Sequence, residues 1–437
     1  MSGAFVYRDG ALWAEEVPLA EIAAAVGTPA YVYAAAPMRA RVREFLAAFA
    51  EQRVLLCYAL KANGNLAVVR TLADEGAGAD IVSGGELQRA LAAGVPPQRI
   101  VFSGVGKSRD EMAMALDVRI AQFNVESVPE LEALAELAAA RSVRAPIALR
   151  INPDVTALTH DKISTGRRHD KFGIAHDRAL EVYQLARRLA GIEIVGLHLH
   201  IGSQILSLAP FEAAFRCGVE LLKELRAQGI GIRRLDLGGG LGVRYQAGPE
   251  LDLAGYAALV RELTAGLDLE LVFEPGRWLV AEAGVLLTRV LYVKEGALRP
   301  CVVLDAGMND LLRPALYDAW HEILPVRRPA PAAAAETVDV VGPICESTDI
   351  FARARDLPPL AAEDLLVLTG AGAYGAVMAS DYNSRPLAAE VLVDGARHAV
   401  VRPRIEPAAR FACEQLPPWL ASPAREQGVA RQRGERP

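Results

Sequence analysis

The stretch Leu55–Lys61 (LLCYALK) is a short apolar run that closes on a lysine, and it is the first of eight such runs. The others are Ala79–Ser83 (ADIVS), Ile100–Ser103 (IVFS), Ala121–Asn124 (AQFN), Pro146–Asn152 (PIALRIN), Ile194–Ile201 (IVGLHLHI), Arg234–Leu237 (RLDL) and Leu269–Pro275 (LELVFEP). Between them lie Ala/Leu/Arg/Glu stretches of helical character. Ser127–Ala140 (SVPELEALAELAAA) is the clearest, with Ser127 as N-cap, Pro129 in the first turn and Glu130 placed for a capping box. Eight strands alternating with helices predict an α/β fold of the (β/α)8 TIM-barrel type; a doubly wound open sheet is the alternative. The polar residues favour the barrel. Nearly every run ends in a group able to do chemistry: Lys61, Asp80 or Ser83, Ser103, Asn124, Asn152, His200, Gly238–Gly242 and Glu274. In such barrels the active site is built at the C-terminal ends of several strands.

Outward from the barrel the pattern changes. Beyond Ala281, Gly284–Lys294, Cys301–Ala306, Thr337–Gly342, Asp364–Thr369 and Ala389–Val393 read as strands with few helical stretches between them. The expected organisation is a barrel over residues 36–280, an all-β domain from 1–35 and 281–412, and a flexible tail over 413–437. Arg328–Ala335 (RPAPAAAA) reads as an exposed loop. The 437 residues carry 47 Lys+Arg against 53 Asp+Glu, a net charge of −6, with no basic run to hold nucleic acid. With 52% hydrophobic residues the chain can bury a large core, yet no stretch is apolar enough to span a bilayer. The start, MSGAFVYRDG, has neither the basic opening nor the apolar stretch of a secretory signal. Cys57, Cys217, Cys301, Cys345 and Cys413 are scattered and odd in number, which argues against a disulfide framework and a structural zinc site. A cytoplasmic enzyme is expected.

Four features could carry the chemistry. Lys61 at a strand end can simply reach solvent, but an apolar setting lowers a lysine's pKa, and a neutral amine can form a Schiff base. His198 and His200 lie two apart on a strand and face one side. They could hold a metal, pack in the barrel or face a cofactor; with no other strand-end histidine, the metal reading is the weakest. The turn GGGLG (Gly238–Gly242) departs from GxGxxG at Val243, but offers approachable N–H groups where barrels commonly hold a phosphate. Glu274, in Glu274-Pro275-Gly276-Arg277, needs a positive partner if buried. A lysine, an imidazole, a phosphate cradle and a carboxylate for a ring nitrogen together make the parts of a pyridoxal phosphate (PLP) site.

These motifs carry a family resemblance. YALKANGN, ADIVSGGEL, FSGVGKS, FNVES, HIGSQ, LDLGGGLG, EPGR, MNDLLRPALYDAWH, VGPICESTD, GAYG and YNSRP resemble, in order and over roughly residues 5–405, the meso-diaminopimelate decarboxylase family. These are barrel-type PLP decarboxylases. The resemblance implies a fold-type III, alanine-racemase-like barrel followed by a β-sandwich or β-barrel domain. It implies that Lys61 joins the cofactor and that His200 stacks on its ring. Ser203, Gly239, Gly240, Gly276 and Arg277 would hold phosphate and ring, with Glu274 on the pyridine nitrogen. Arg277, Arg313 and Tyr317 resemble a clamp for the substrate's distal carboxylate, Glu346 the partner of its distal ammonium, Cys345 the proton donor and Tyr374 a contact to cofactor and substrate. The implied reaction converts meso-2,6-diaminopimelate to L-lysine and CO₂ in an obligate homodimer whose Cys-Glu loop crosses between subunits. An ornithine, lysine or arginine decarboxylase, an amino-acid racemase and a non-catalytic PLP-binding protein are the alternatives. Three departures stand out: the additional His198, a basic THDKISTGRRHDKFG, and Asp381 where the family usually has Asn.

Overall fold

The computed structural model describes residues 3–155, 171–329 and 334–420. The chain opens with three short antiparallel strands, β1 (Phe5–Arg8), β2 (Ala11–Ala14) and β3 (Val17–Pro18), then β4 (Ala30–Ala34), which joins a distant sheet. The barrel follows. Its strands are β5 (Arg53–Ala59), β6 (Gly78–Ile81), β7 (Ile100–Phe102), β8 (Gln122–Val125) and β9 (Ala145–Asn152). After β10 (Ile174–Ala175), which pairs only with β9, come β11 (Ile192–His198), β12 (Arg234–Asp236) and β13 (Glu270–Phe273). All pairings are parallel, and β13 returns to β5, closing eight strands into a barrel. Each run read from the sequence is a strand here.

The strands read as near-continuous apolar runs because both faces are covered, by helices outside and by packed side chains inside. Leu56, Tyr58, Ile81, Phe102, Phe123, Leu149, Leu197, Leu235 and Phe273 are fully or almost fully buried. Helix Val128–Ala140 starts where expected, with Ser127 accepting a hydrogen bond from the Glu130 N–H. The rest of the expected capping box is absent. The Glu130 carboxylate turns instead to the Glu126 N–H (3.0 Å) and to the buried Lys107 ammonium (2.8 Å), because an interior charge needs a counter-charge more than a helix start needs its second cap.

The second sheet contains β14 (Gly284–Lys294), β15 (Cys301–Leu304), β16 (Ile323–Pro325), β17 (Glu336–Val341), β18 (Ile350–Leu357), β19 (Leu365–Leu368), β20 (Ala389–Asp394) and β21 (Arg397–Arg402). Its order is β18-β17-β15-β14-β4-β20-β21, with β19 bridging β14 and β16. Strand β4 lies between β14 and β20, so the N-terminal segment is built into this sheet. FVYRDG forms its own small sheet with β2 rather than joining the large one, but Phe5 and Leu12 share a core with Val32, Val285 and Val391. The long β14 runs out of the barrel's last helical turns, Arg277–Val280 and Ala281–Ala283, and so carries this sheet to the rim of the strand ends. No helix among the described residues is long and apolar enough to cross a membrane.

Candidate active site

A cavity of about 510 Å³ opens over the C-terminal ends of the barrel strands, lined by Lys61, His200, Ser203, Gly240, Glu274, Gly276, Arg277, Arg313, Tyr317 and Tyr374. Its floor comes from the barrel. Lys61 follows β5 in a short helical turn, and its Nζ donates to Asp80 Oδ2 at 2.5 Å, just beyond the middle of β6. The apolar strand had predicted a lysine of lowered pKa. The structure reverses this: burial opposes the charge, but the nearby carboxylates of Asp80 and Glu274, together with Tyr374, outweigh it and raise the pKa. Asp80 is itself pushed up to about 7 by burial and by the charge of Glu274, against the pull of Lys61.

Glu274 follows β13 and is almost completely buried. Its Oε1 accepts from Asn124 Nδ2 (2.7 Å) and Ser103 Oγ (3.2 Å), two groups from the ends of β8 and β7. Its Oε2 lies 3.4 Å from His198 Nε2, close enough for charge attraction but not aligned as a hydrogen bond. Burial pushes the carboxyl up, yet His198 and Lys61 hold it well below the usual carboxylate range. Asp236, also buried, completes the floor by accepting from Gln122, Asn124 and the Gly238 N–H. His198, which the sequence left open between a metal, barrel packing and a cofactor contact, sits in the barrel beside Glu274. The two histidines do share one side, with His198 below and His200 at the cavity.

His200 Nδ1 accepts from the Gly239 N–H at 3.1 Å. Burial and the positive charges of Arg150 and Lys61 keep the ring's pKa well below its ordinary value, so the imidazole is neutral with its proton on Nε2. The glycine turn is dictated by packing. Gly238 and Gly240 have φ of 63° and 98°, and a Cβ at Gly239 would lie 2.3 Å from the Glu274 carbonyl oxygen. Gly239 therefore serves the site through His200, whereas the Gly240 and Gly276 N–H groups have no acceptor among the described residues.

The roof comes from the loops and the β domain. Arg277 opens the short helix after β13; it donates to Tyr245 Oη (2.8 Å) and Ser203 Oγ (3.2 Å), and its guanidinium stacks 4.6 Å from the Tyr374 ring. Tyr374 is held at φ 54°, with its N–H bonded to the Ala62 carbonyl beside Lys61. Arg313 and Tyr317 begin and end one short helix, Arg313–Tyr317. Arg277 and Arg313 are 7% and 5% exposed, and neither has a carboxylate partner among the described residues. Cys345 and Glu346 are not in this cavity. They sit exposed at the tip of a loop whose base is tied by Asp349, which accepts from the Ile344 and Met308 N–H groups at 2.6 Å each. The Cys345 N–H is bonded to Asn383 Oδ1. Asp381 is paired with Arg410 at 2.9 Å, away from the cavity lining. Most of THDKISTGRRHDKFG lies outside the described residues.

The pyridoxal-binding domain of the pyridoxal-dependent decarboxylases matches residues 35–281. Diaminopimelate decarboxylase of Pseudomonas aeruginosa is 52% identical over 415 residues, covering 95% of this chain and 99% of the relative; that of Zymomonas mobilis is 48% identical over 421 residues with the same coverage. The chain belongs to the diaminopimelate decarboxylases. Among solved members, the enzyme of M. jannaschii in complex with L-lysine superposes with a TM-score of 0.91 at 35% identity, covering 96% of this chain and 99% of that one. The Helicobacter pylori diaminopimelate decarboxylase with L-lysine gives 0.87 at 42% identity, covering 90% and 98%.

The cavity fits the cofactor of this family. It pairs a lysine with a carboxylate whose negative charge is secured for a cationic ring nitrogen, and it adds two N–H groups without acceptors beside a guanidinium for an anion. Sequence reading found most of these residues. It missed Asp236 and Gln122 on the floor and Tyr245 and His321 on the roof. A period-two reading of β8 and β12 would have turned Gln122, Asn124 and Asp236 toward the barrel axis. Nothing local distinguishes Tyr245 or His321.

Proposed function

We propose that this protein decarboxylates meso-2,6-diaminopimelate to L-lysine and CO₂, using pyridoxal 5′-phosphate, in the cytoplasm and as a homodimer. One observation carries the reading: two buried arginines, without carboxylate partners among the described residues, share a cavity with Lys61 and Glu274. An arginine buried alone is costly, and a planar guanidinium suits a carboxylate. A substrate with a carboxylate at each end supplies that partner; ornithine, lysine or arginine, with no distal carboxylate, does not.

Lys61, His200, Ser203, Gly240, Glu274, Gly276, Arg277 and Tyr374 would hold the cofactor, with Gly239 orienting His200. When bound, pyridoxal phosphate supplies an electron sink for the pair left as the Cα–carboxylate bond breaks. Glu274, kept anionic by the charges beside it, would keep a proton on the cofactor's ring nitrogen and so favour the deeper sink that decarboxylation needs. Lys61 must lose a proton before its nitrogen can act as a nucleophile, and Asp80 is positioned to take it at 2.5 Å. Arg313, with Arg277 and Tyr317, holds the distal carboxylate.

Cys345 and Glu346 reach the site from the second subunit in this reading, which accounts for their exposure on one chain. The partner's Cys345 returns a proton to Cα, and the partner's Glu346 faces the distal ammonium. Protein loaded with pyridoxal phosphate is expected to release equimolar CO₂ and L-lysine from meso-diaminopimelate. Failure to release either overturns the proposal.

A further inference from the structure

Arg277 and Arg313 are like charges in one cavity wall, so their guanidinium groups repel unless held. Two side chains with no role above hold them. The Arg313 guanidinium lies 4.4 Å from the centre of the Tyr245 ring, and the Tyr245 hydroxyl accepts from Arg277 at 2.8 Å. One tyrosine thus binds both arginines, one on its face and one on its oxygen. His321 Nε2 lies 2.9 Å from Arg313 Nη1, while His321 Nδ1 lies 2.7 Å from the Thr369 carbonyl oxygen. A carbonyl only accepts, so Nδ1 carries the ring proton and Nε2 accepts from the arginine. The histidine ring meets Tyr245 edge-on, at 5.6 Å and 68°. His321 is 1% exposed, and Arg355 donates to its main-chain carbonyl at 3.1 Å, which anchors the backbone that carries the ring.

We propose that Tyr245 and His321 are positioning residues that set specificity for a substrate with a distal carboxylate. They hold Arg313 beside Arg277 before substrate arrives. This rests on the proposed function. Neutral acceptors are suited to the task, because a carboxylate in either place would fill the site intended for the substrate's own. A fixed guanidinium also loses less freedom on binding, which strengthens recognition.

Steady-state kinetics on the cofactor-loaded enzyme test this, with D-lysine, which keeps the carboxylate at the reacting carbon and lacks the distal one, as a competitive inhibitor. His321→Phe keeps a ring but removes the acceptor; it is expected to raise KM for meso-diaminopimelate about tenfold or more, with kcat changed less than about threefold. The Ki for D-lysine should move less than about threefold. His321→Gln, whose amide can accept from Arg313 and donate to Thr369, should return KM to within about threefold of wild type. Tyr245→Phe, keeping the ring and losing the bond to Arg277, should raise KM by about three- to tenfold and decides the matter if His321→Phe does not fold. Unchanged KM, a KM and Ki that rise together, or equal behaviour of the Phe and Gln variants overturns the inference. A wild-type enzyme without turnover overturns the proposed function, and the inference with it; turnover with an indifferent His321→Phe overturns only the inference.

Discussion

The floor and the roof of the cavity treat buried charge in opposite ways. On the floor and in the barrel beneath it these buried charges meet opposite charges or hydrogen-bond donors: Lys61 with Asp80, Glu274 with Asn124, Ser103 and His198, Lys107 with Glu130, and Arg150 with Glu126. On the roof, among the described residues, Arg277 and Arg313 meet only tyrosines, a serine and a neutral histidine. Desolvating an ion is costly unless it is paired, so the floor is complete on folding and the roof is completed only by an anion from outside. A resident cofactor belongs to the first arrangement and a substrate that comes and goes to the second. Breaking the floor should therefore damage turnover or stability, and breaking the roof should damage selection.

The largest effect is expected at Lys61. Lys61→Ala should lower kcat by about 10³-fold or more and remove the visible absorbance of the bound cofactor; retained turnover would deny Lys61 its role. Glu274→Gln comes next, with kcat lowered by roughly 10²-fold while cofactor still binds, because only the charge facing the ring nitrogen is lost. A comparable fall in cofactor affinity alone would mean that Glu274 serves binding rather than turnover. On the roof, Arg313→Ala should cut kcat/KM for meso-diaminopimelate by about 10²-fold and weaken inhibition by D-lysine, which lacks the distal carboxylate, far less. Equal losses for both ligands would erase the difference between floor and roof.

Two tests address stability. Lys107→Met leaves Glu130 buried without its cation and should cost about 3 kcal/mol, read as a lower urea midpoint. The smallest effect concerns pH. Burial first, then Arg313, lowers the pKa of His321 to about 3, from an ordinary value of 6.5. Between those values the unfolded chain binds the proton and the folded chain does not. The stability contributed by neutral His321 is therefore full above about pH 6.5 and is lost as pH falls toward 3. His321→Gln should flatten this part of the urea-midpoint profile between pH 7 and pH 5; an unchanged slope would mean the histidine does not titrate as the structure requires.

Much of the fold was legible because a parallel barrel strand buried on both faces is an apolar run that stands out from its helices. The strands that escaped notice lack that contrast. In β18 (IFARARDL), Arg353, Arg355 and Asp356 interrupt the apolar residues, and its place depends on pairing with β17. Lys61 was legible as a candidate and misleading in its charge: CYALK reads as apolar, whereas the residue that sets its pKa, Asp80, arrives from the next strand. Gly238–Gly242 was read as a source of approachable N–H groups for a phosphate. In fact Gly238 and Gly240 have positive φ, and Gly239 and Gly242 touch neighbouring backbone.

What the sequence by itself determined is whatever depends on near neighbours and on order along the chain: the strand–helix alternation, the polar residue closing each strand, and the motifs that place this chain in its family. Only the tertiary structure decided which charges are paired. Asp80 reaches Lys61 across 19 positions, Asn124 reaches Glu274 across 150, and Tyr245 joins Arg277 to Arg313 from a loop that has no motif of its own. Electrostatic energy depends on distance and burial, and neither is a property of spacing along the chain.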